Sequence, residues 1–118
     1  MLRLLRSFRW AGQGLQYCAQ GEKNFQVHCI IGVLAIATGF LLQISAQEWI
    51  IITICIALTL AFEMFNTALE HLCNIVQPSI HPTVKIVKDV CAGAVLIIAL
   101  MSVVCGAIIF LPKIIAAI

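Results

Sequence analysis

Glu63, Asn66 and Glu70 lie three and four residues apart in the stretch Leu60–Leu72, LAFEMFNTALEHL, within a long run of apolar residues. On an α-helix, Glu63, Asn66, Glu70 and Asn74 project at about 0°, 300°, 340° and 20°, so they share one face. Ionisable groups are costly in hydrocarbon, so this face belongs against a protein interior or a wet groove. Hard carboxylate oxygens beside a lysine suit magnesium and phosphate groups. A carboxylate set deeper in the apolar layer is placed to take a proton from a lipid hydroxyl.

Two other clusters carry matching chemistry. Glu22, Lys23 and Asn24 precede one apolar run, and Lys88 and Asp89 precede another, followed by Ala92, Gly93 and Ala94. Small residues at those positions permit close helix approach. Taken singly, each polar residue has a bland explanation. Glu63 could hydrogen-bond across helices, and Asn66 could serve as interhelical glue. Glu22, Lys23, Lys85 and Lys88 could be interfacial anchors, and His28 and His81 interface residues. Convergence of three segments at one level favours the functional reading.

The elements that must bring these clusters together follow from composition. The 118 residues suffice for one domain, 1–118; 63% are hydrophobic and 10% charged, with mean hydropathy +1.11. Soluble domains carry about 25% charged residues, so the chain reads as an all-α integral membrane protein. Apolar segments recur to its end, which does not fit a cleaved signal peptide. A net charge of +2 gives no reason to expect nucleic acid as a partner. The expected spans are 28–47, 49–76 and 90–111, each reaching at least the roughly 20 residues a bilayer requires. A tight polar link at Gln43–Glu48 and a loop at Gln77–Asp89, containing Pro78 and Pro82, should separate them.

Residues 2–20 place Leu4, Leu5, Phe8 and Leu15, with Ala11 and Trp10, on one side and Arg3, Arg6, Arg9, Gln13 and Gln16 on the other. This predicts an amphipathic helix in the membrane interface, with a flexible basic leader as the alternative because Gly12 and Gly14 weaken it. Arg3, Arg6, Arg9 and Lys23 in the leader and Lys85 and Lys88 in the second loop contrast with a first loop that has neither Lys nor Arg. The positive-inside rule then puts the N-terminus and the second loop in the cytoplasm. Glu63 lies about 21 Å along a helix from Trp49, in the cytoplasmic third of a core about 30 Å thick. Glu70 lies about 10 Å nearer the cytoplasm.

Other motifs are missing. Gly12–Gly14 lacks the rest of a phosphate loop, and there is no dinucleotide fingerprint, nucleophile elbow or metalloprotease helix. The six cysteines show no C-x-x-C or Cys/His zinc spacing and read as small hydrophobes.

The combination EMFNTALE (63–70), KDVCAGAVL (88–96) and EKNF (22–25) resembles the prokaryotic integral-membrane diacylglycerol kinase and undecaprenol kinase family. The resemblance covers nearly the whole chain, and its E-x-x-N-T-A-x-E element is the specific part. It implies a homotrimeric lipid kinase of the bacterial inner membrane, with active sites shared between subunits. Such a kinase transfers the γ-phosphoryl of Mg-ATP to diacylglycerol or undecaprenol, serving phospholipid or cell-envelope lipid recycling. By that resemblance Glu63 is the catalytic base and Asn66 orders the site, while Glu22 and Glu70 hold magnesium. Lys88 and Asp89 contact ATP, as do Ser79 and His81 in the loop and Arg3 and Trp10 in the leader. Two positions depart from the pattern: Asn74 replaces a common aspartate and Gln26 a common arginine.

Two readings of other classes compete. A non-catalytic helper subunit would use the polar stripe only for helix assembly. A small transporter would use it as an ion path, against which three short spans without an inverted repeat argue.

Overall fold

The computed structural model describes residues 1–118 as four helices: α1 Leu2–Gly21, α2 Lys23–Leu41, α3 Ala46–Val76 and α4 Pro82–Ala117. The last three are long and apolar enough to cross a membrane, so the chain is a multi-pass, all-helical membrane protein. The first is unbroken through Gly12 and Gly14. A flexible leader is therefore not what forms.

The first expected span, 28–47, is displaced: its helix begins at Lys23 and ends at Leu41. Gln43 takes a left-handed φ of 51°, which breaks the helix there. Ser45 then starts α3 with a reciprocal cap. Its hydroxyl accepts from the Glu48 amide at 3.2 Å, and its amide donates to the Glu48 carboxylate at 2.8 Å. Across this turn Glu48 also meets Lys113 at 3.5 Å.

The second link is shorter than the expected Gln77–Asp89, because α4 begins at Pro82. Proline reads as a helix breaker, yet at the first helical position its missing amide costs nothing and its fixed φ suits the helix. His81 caps the start, its Nδ1 accepting from the Thr83 amide at 3.2 Å. Lys85, Lys88 and Asp89 thus stand on a helix, not a loop.

Helix lengths explain what this achieves. At the α-helical rise, α3 is about 46 Å long and α4 about 54 Å, against a hydrocarbon core of about 30 Å. Both overshoot the bilayer, and the overshoot beside the Gln77–His81 link carries Glu70, Asn74, Lys85, Lys88 and Asp89.

α3 packs chiefly on α4 and next on α2, while α1 touches only α2 and α3. The buried face of α3 is Ile52, Cys55, Thr59, Glu63 and Thr67, spaced as one helical stripe. Ile44, Ile52 and Ile109 form an apolar cluster at the Gln43 end, with Trp49 and Phe110 against it. Midway, Thr59 and Ser102 face each other at 3.2 Å across α3 and α4, and each hydroxyl also bonds its own helix. Only 12 of 118 residues are buried within the chain. Most of its apolar surface is therefore left for lipid or for further copies.

Candidate functional site

The helix break between α1 and α2 is a single residue, Glu22, in extended conformation. It ends one helix and starts the next, and its carboxylate is one-third exposed at the junction. Gln26 stitches this junction, its side-chain amide donating to the Ala19 carbonyl at 2.9 Å. That satisfies one of the carbonyls a helix end leaves without a partner. Glutamine in place of arginine here is therefore a working part of the bend.

α1 rests on α3 through small residues. A Cβ on Gly14 would meet the Met64 methyl at 3.9 Å, and Cys18 is buried beside the site. Burial, followed by the charges of Glu22 and Glu63, pushes the Cys18 thiol above its ordinary value. Tyr17 reaches the same wall: its hydroxyl lies 3.1 Å from His71 Nε2, with the rings edge to face. His71 in turn lies 3.8 Å from Glu22.

Glu63 is at the centre, 5% exposed on the inner stripe of α3. His28 of α2 brings Nε2 to 3.5 Å from its Oε1, and the charges of Glu70 and Glu22 are felt there. Glu70 and Asn74, further along the helix, are exposed. The four polar residues thus climb out of the protein as the helix leaves the membrane. Asn66 sits between, and its buried Oδ1 has no hydrogen-bond partner. No side chain of the same subunit meets it, in contrast to Thr59 and Ser102, which join α3 to α4.

Lys88 reaches across from α4 to α3, its Nζ donating to Asn74 Oδ1 at 2.7 Å. Asp89 pairs elsewhere, with Lys85 at 2.6 Å, both well exposed; such surface pairs contribute little. Ser79, His81, Lys85 and Lys88 line a hollow of about 340 Å³ at the link, within which Gln77 donates to Ser79 at 2.6 Å. Arg3 and Trp10 remain exposed on α1. Arg3 stands about 22 Å along that helix from Cys18, so one subunit does not bring it to Glu63.

Beneath the site, α2, α3 and α4 enclose a mostly apolar groove of about 480 Å³. His28 stands at its Glu63 end, and Ile31, Ile56 and Phe110 are among its walls. No three His, Cys, Asp or Glu side chains approach closely enough to hold a metal ion by themselves.

Tyr17 and His71 escape a reading of the sequence, and His28 reads there as an interface residue with no hint of its contact to Glu63. Each lies outside the motif segments, and only helix packing brings His28 and His71 to carboxylates and Tyr17 to His71.

The sequence comparisons agree with the geometry. Residues 9–110 match the family model of prokaryotic diacylglycerol kinase. The chain is 40% identical over 111 residues to an undecaprenol kinase of Bacillus subtilis (strain 168), covering 94% of this chain and 90% of that one. It is 36% identical over 114 residues to a diacylglycerol kinase of Synechocystis sp. (strain ATCC 27184 / PCC 6803 / Kazusa), covering 96% of this chain and 65% of that one. With nearly all of its membrane-spanning part matched, the chain belongs to the prokaryotic diacylglycerol kinase family.

Proposed function

We propose that this lipid kinase transfers the γ-phosphoryl of ATP to the hydroxyl of a long-chain lipid alcohol of the undecaprenol type, with Glu63 as the general base. The observation that carries this reading is a buried carboxylate 3.5 Å from His28, which lines the head of an apolar groove, on a helix face that leads up to polar residues beyond the membrane. The acceptor's chain lies in the groove, and its hydroxyl meets Glu63. As the new O–P bond forms, the hydroxyl proton passes to the Glu63 carboxylate and the bond to the departing ADP breaks.

The donor set suits magnesium. Glu22 and Glu70 offer hard oxygens, and the partnerless Asn66 Oδ1 leaves a further one to orient a water or substrate group. Magnesium is commonly held by one or two carboxylates together with substrate phosphates, so the want of a three-residue cage is no obstacle. When bound, the ion neutralises phosphate charge. Lys88 meets a phosphate oxygen, Ser79 and His81 border the nucleotide, and Asp89 lies at its edge. Arg3 and Trp10 of α1 extend along the membrane surface and contact nucleotide held by a neighbouring subunit.

Large exposed apolar residues on every spanning helix support assembly into a trimer with sites shared between copies. The clustering of Lys and Arg at the Glu22 and Gln77–Asp89 levels supports a cytoplasmic N-terminus in the inner membrane. Undecaprenol is favoured as acceptor by similarity to a kinase of that name along 90% of its length. Offering undecaprenol, diacylglycerol and ceramide side by side with labelled Mg-ATP tests this. Preferential labelling of undecaprenol is expected, and preferential labelling of diacylglycerol would overturn the acceptor assignment.

A further inference from the structure

His28 belongs to none of the motifs that mark the site, yet it is the side chain that meets the buried acid. Its Nε2 lies 3.5 Å from Glu63 Oε1, and its side chain is 21% exposed against 6% for Glu63. It therefore stands between the acid and the groove whose wall it forms. The other titratable groups bearing on Glu63 are Glu70 and Glu22, together with the Cys18 thiol from α1. Among these groups His28 alone can carry a positive charge. A buried carboxylate without a donor is costly and free to rotate, whereas one engaged on a single oxygen is held in one orientation.

We propose that His28 is a positioning residue for phosphoryl transfer: its Nε2–H holds Glu63 Oε1 and leaves Oε2 facing the acceptor hydroxyl at the head of the groove. This rests on Glu63 as base, so the test must separate the two statements. Misplacing a reacting group by about 1 Å can lower the rate about 10²-fold, and the loss belongs in kcat because the nucleotide is held elsewhere.

The experiment compares His28→Leu, His28→Gln and His28→Asn with Glu63→Gln, measuring kcat and the KM for Mg-ATP in mixed micelles. His28→Leu should lower kcat by about 10²-fold with the KM for Mg-ATP within about twofold. His28→Gln, whose amide reaches the former Nε2 position, should restore much of that loss. His28→Asn, equally polar but too short, should not. Wild-type kcat in His28→Leu, or equal kcat in the Gln and Asn variants, would overturn the positioning role. The Gln and Asn pair decides the matter even if the leucine variant fails to fold. Substantial activity in Glu63→Gln would instead overturn the base assignment itself.

Discussion

Lys88 on α4 donates to Asn74 on α3 at 2.7 Å, a bond that ties the two helices together just beyond the membrane. A neutral amide occupies a position where an aspartate would form an ion pair. The lysine is therefore held in place while its charge stays available to a phosphate. A hydrogen bond to a charged group contributes about 1.5–3 kcal/mol. Lys88→Met should accordingly raise the KM for Mg-ATP by about tenfold or more, and steady-state kinetics at saturating lipid will show it. Asn74→Ala should have a smaller effect, because it removes the tether and not the charge. An unchanged KM in Lys88→Met would remove this lysine from the nucleotide site.

Glu22 and Glu70 come from different elements, the α1–α2 break and the exposed end of α3. If they share magnesium, Glu22→Ala and Glu70→Ala should each move half-maximal activity to about tenfold higher magnesium, with thermal stability little changed. Titrating activity against magnesium after chelation with EDTA checks this. Identical magnesium curves for wild type and both variants would argue against the pair as ligands.

Cys18 offers a check on the α1–α3 contact. Its thiol is buried and displaced upward by desolvation and by the charges of Glu22 and Glu63, so little thiolate forms near neutrality. At pH 7.5 in mild detergent, the folded protein should leave Cys18 unmodified by a maleimide, as read by peptide mass spectrometry. Rapid labelling would mean that α1 does not rest on α3 as described.

Two glycines should respond in opposite ways. A Cβ on Gly39 would meet the Trp49 ring at 2.8 Å, and overpacking costs about 1–3 kcal/mol. Gly12 has nothing within 4 Å, and alanine in a helix interior is favoured by about 0.5–1 kcal/mol. Gly39→Ala should lower the Tm, and Gly12→Ala should raise it slightly. Light-scattering onset in detergent distinguishes them.

The helices were legible because apolar runs of membrane length are an unambiguous pattern, and the Glu63–Glu70 face because helical phase is arithmetic. The start of α4 was not, since Pro82 carries the same signal as breaker or as first helical residue. His81 as its cap decides between them. The contacts of His28, His71 and Tyr17 were illegible for a different reason. Their partners lie far away in sequence, and no local spacing records which faces of α1, α2 and α3 meet. Asn66 was read as a site residue from its motif, but its partnerless oxygen is a tertiary fact.

Glu63→Gln tests the central claim most directly, because it removes the proton acceptor while keeping shape and polarity. Transfer of labelled phosphate from Mg-ATP to the lipid alcohol should fall by about 10²–10⁴-fold, the range for loss of a general base. Nucleotide binding and oligomeric state, measured on the same sample, should be unchanged. Near-normal transfer by that variant would contradict the account.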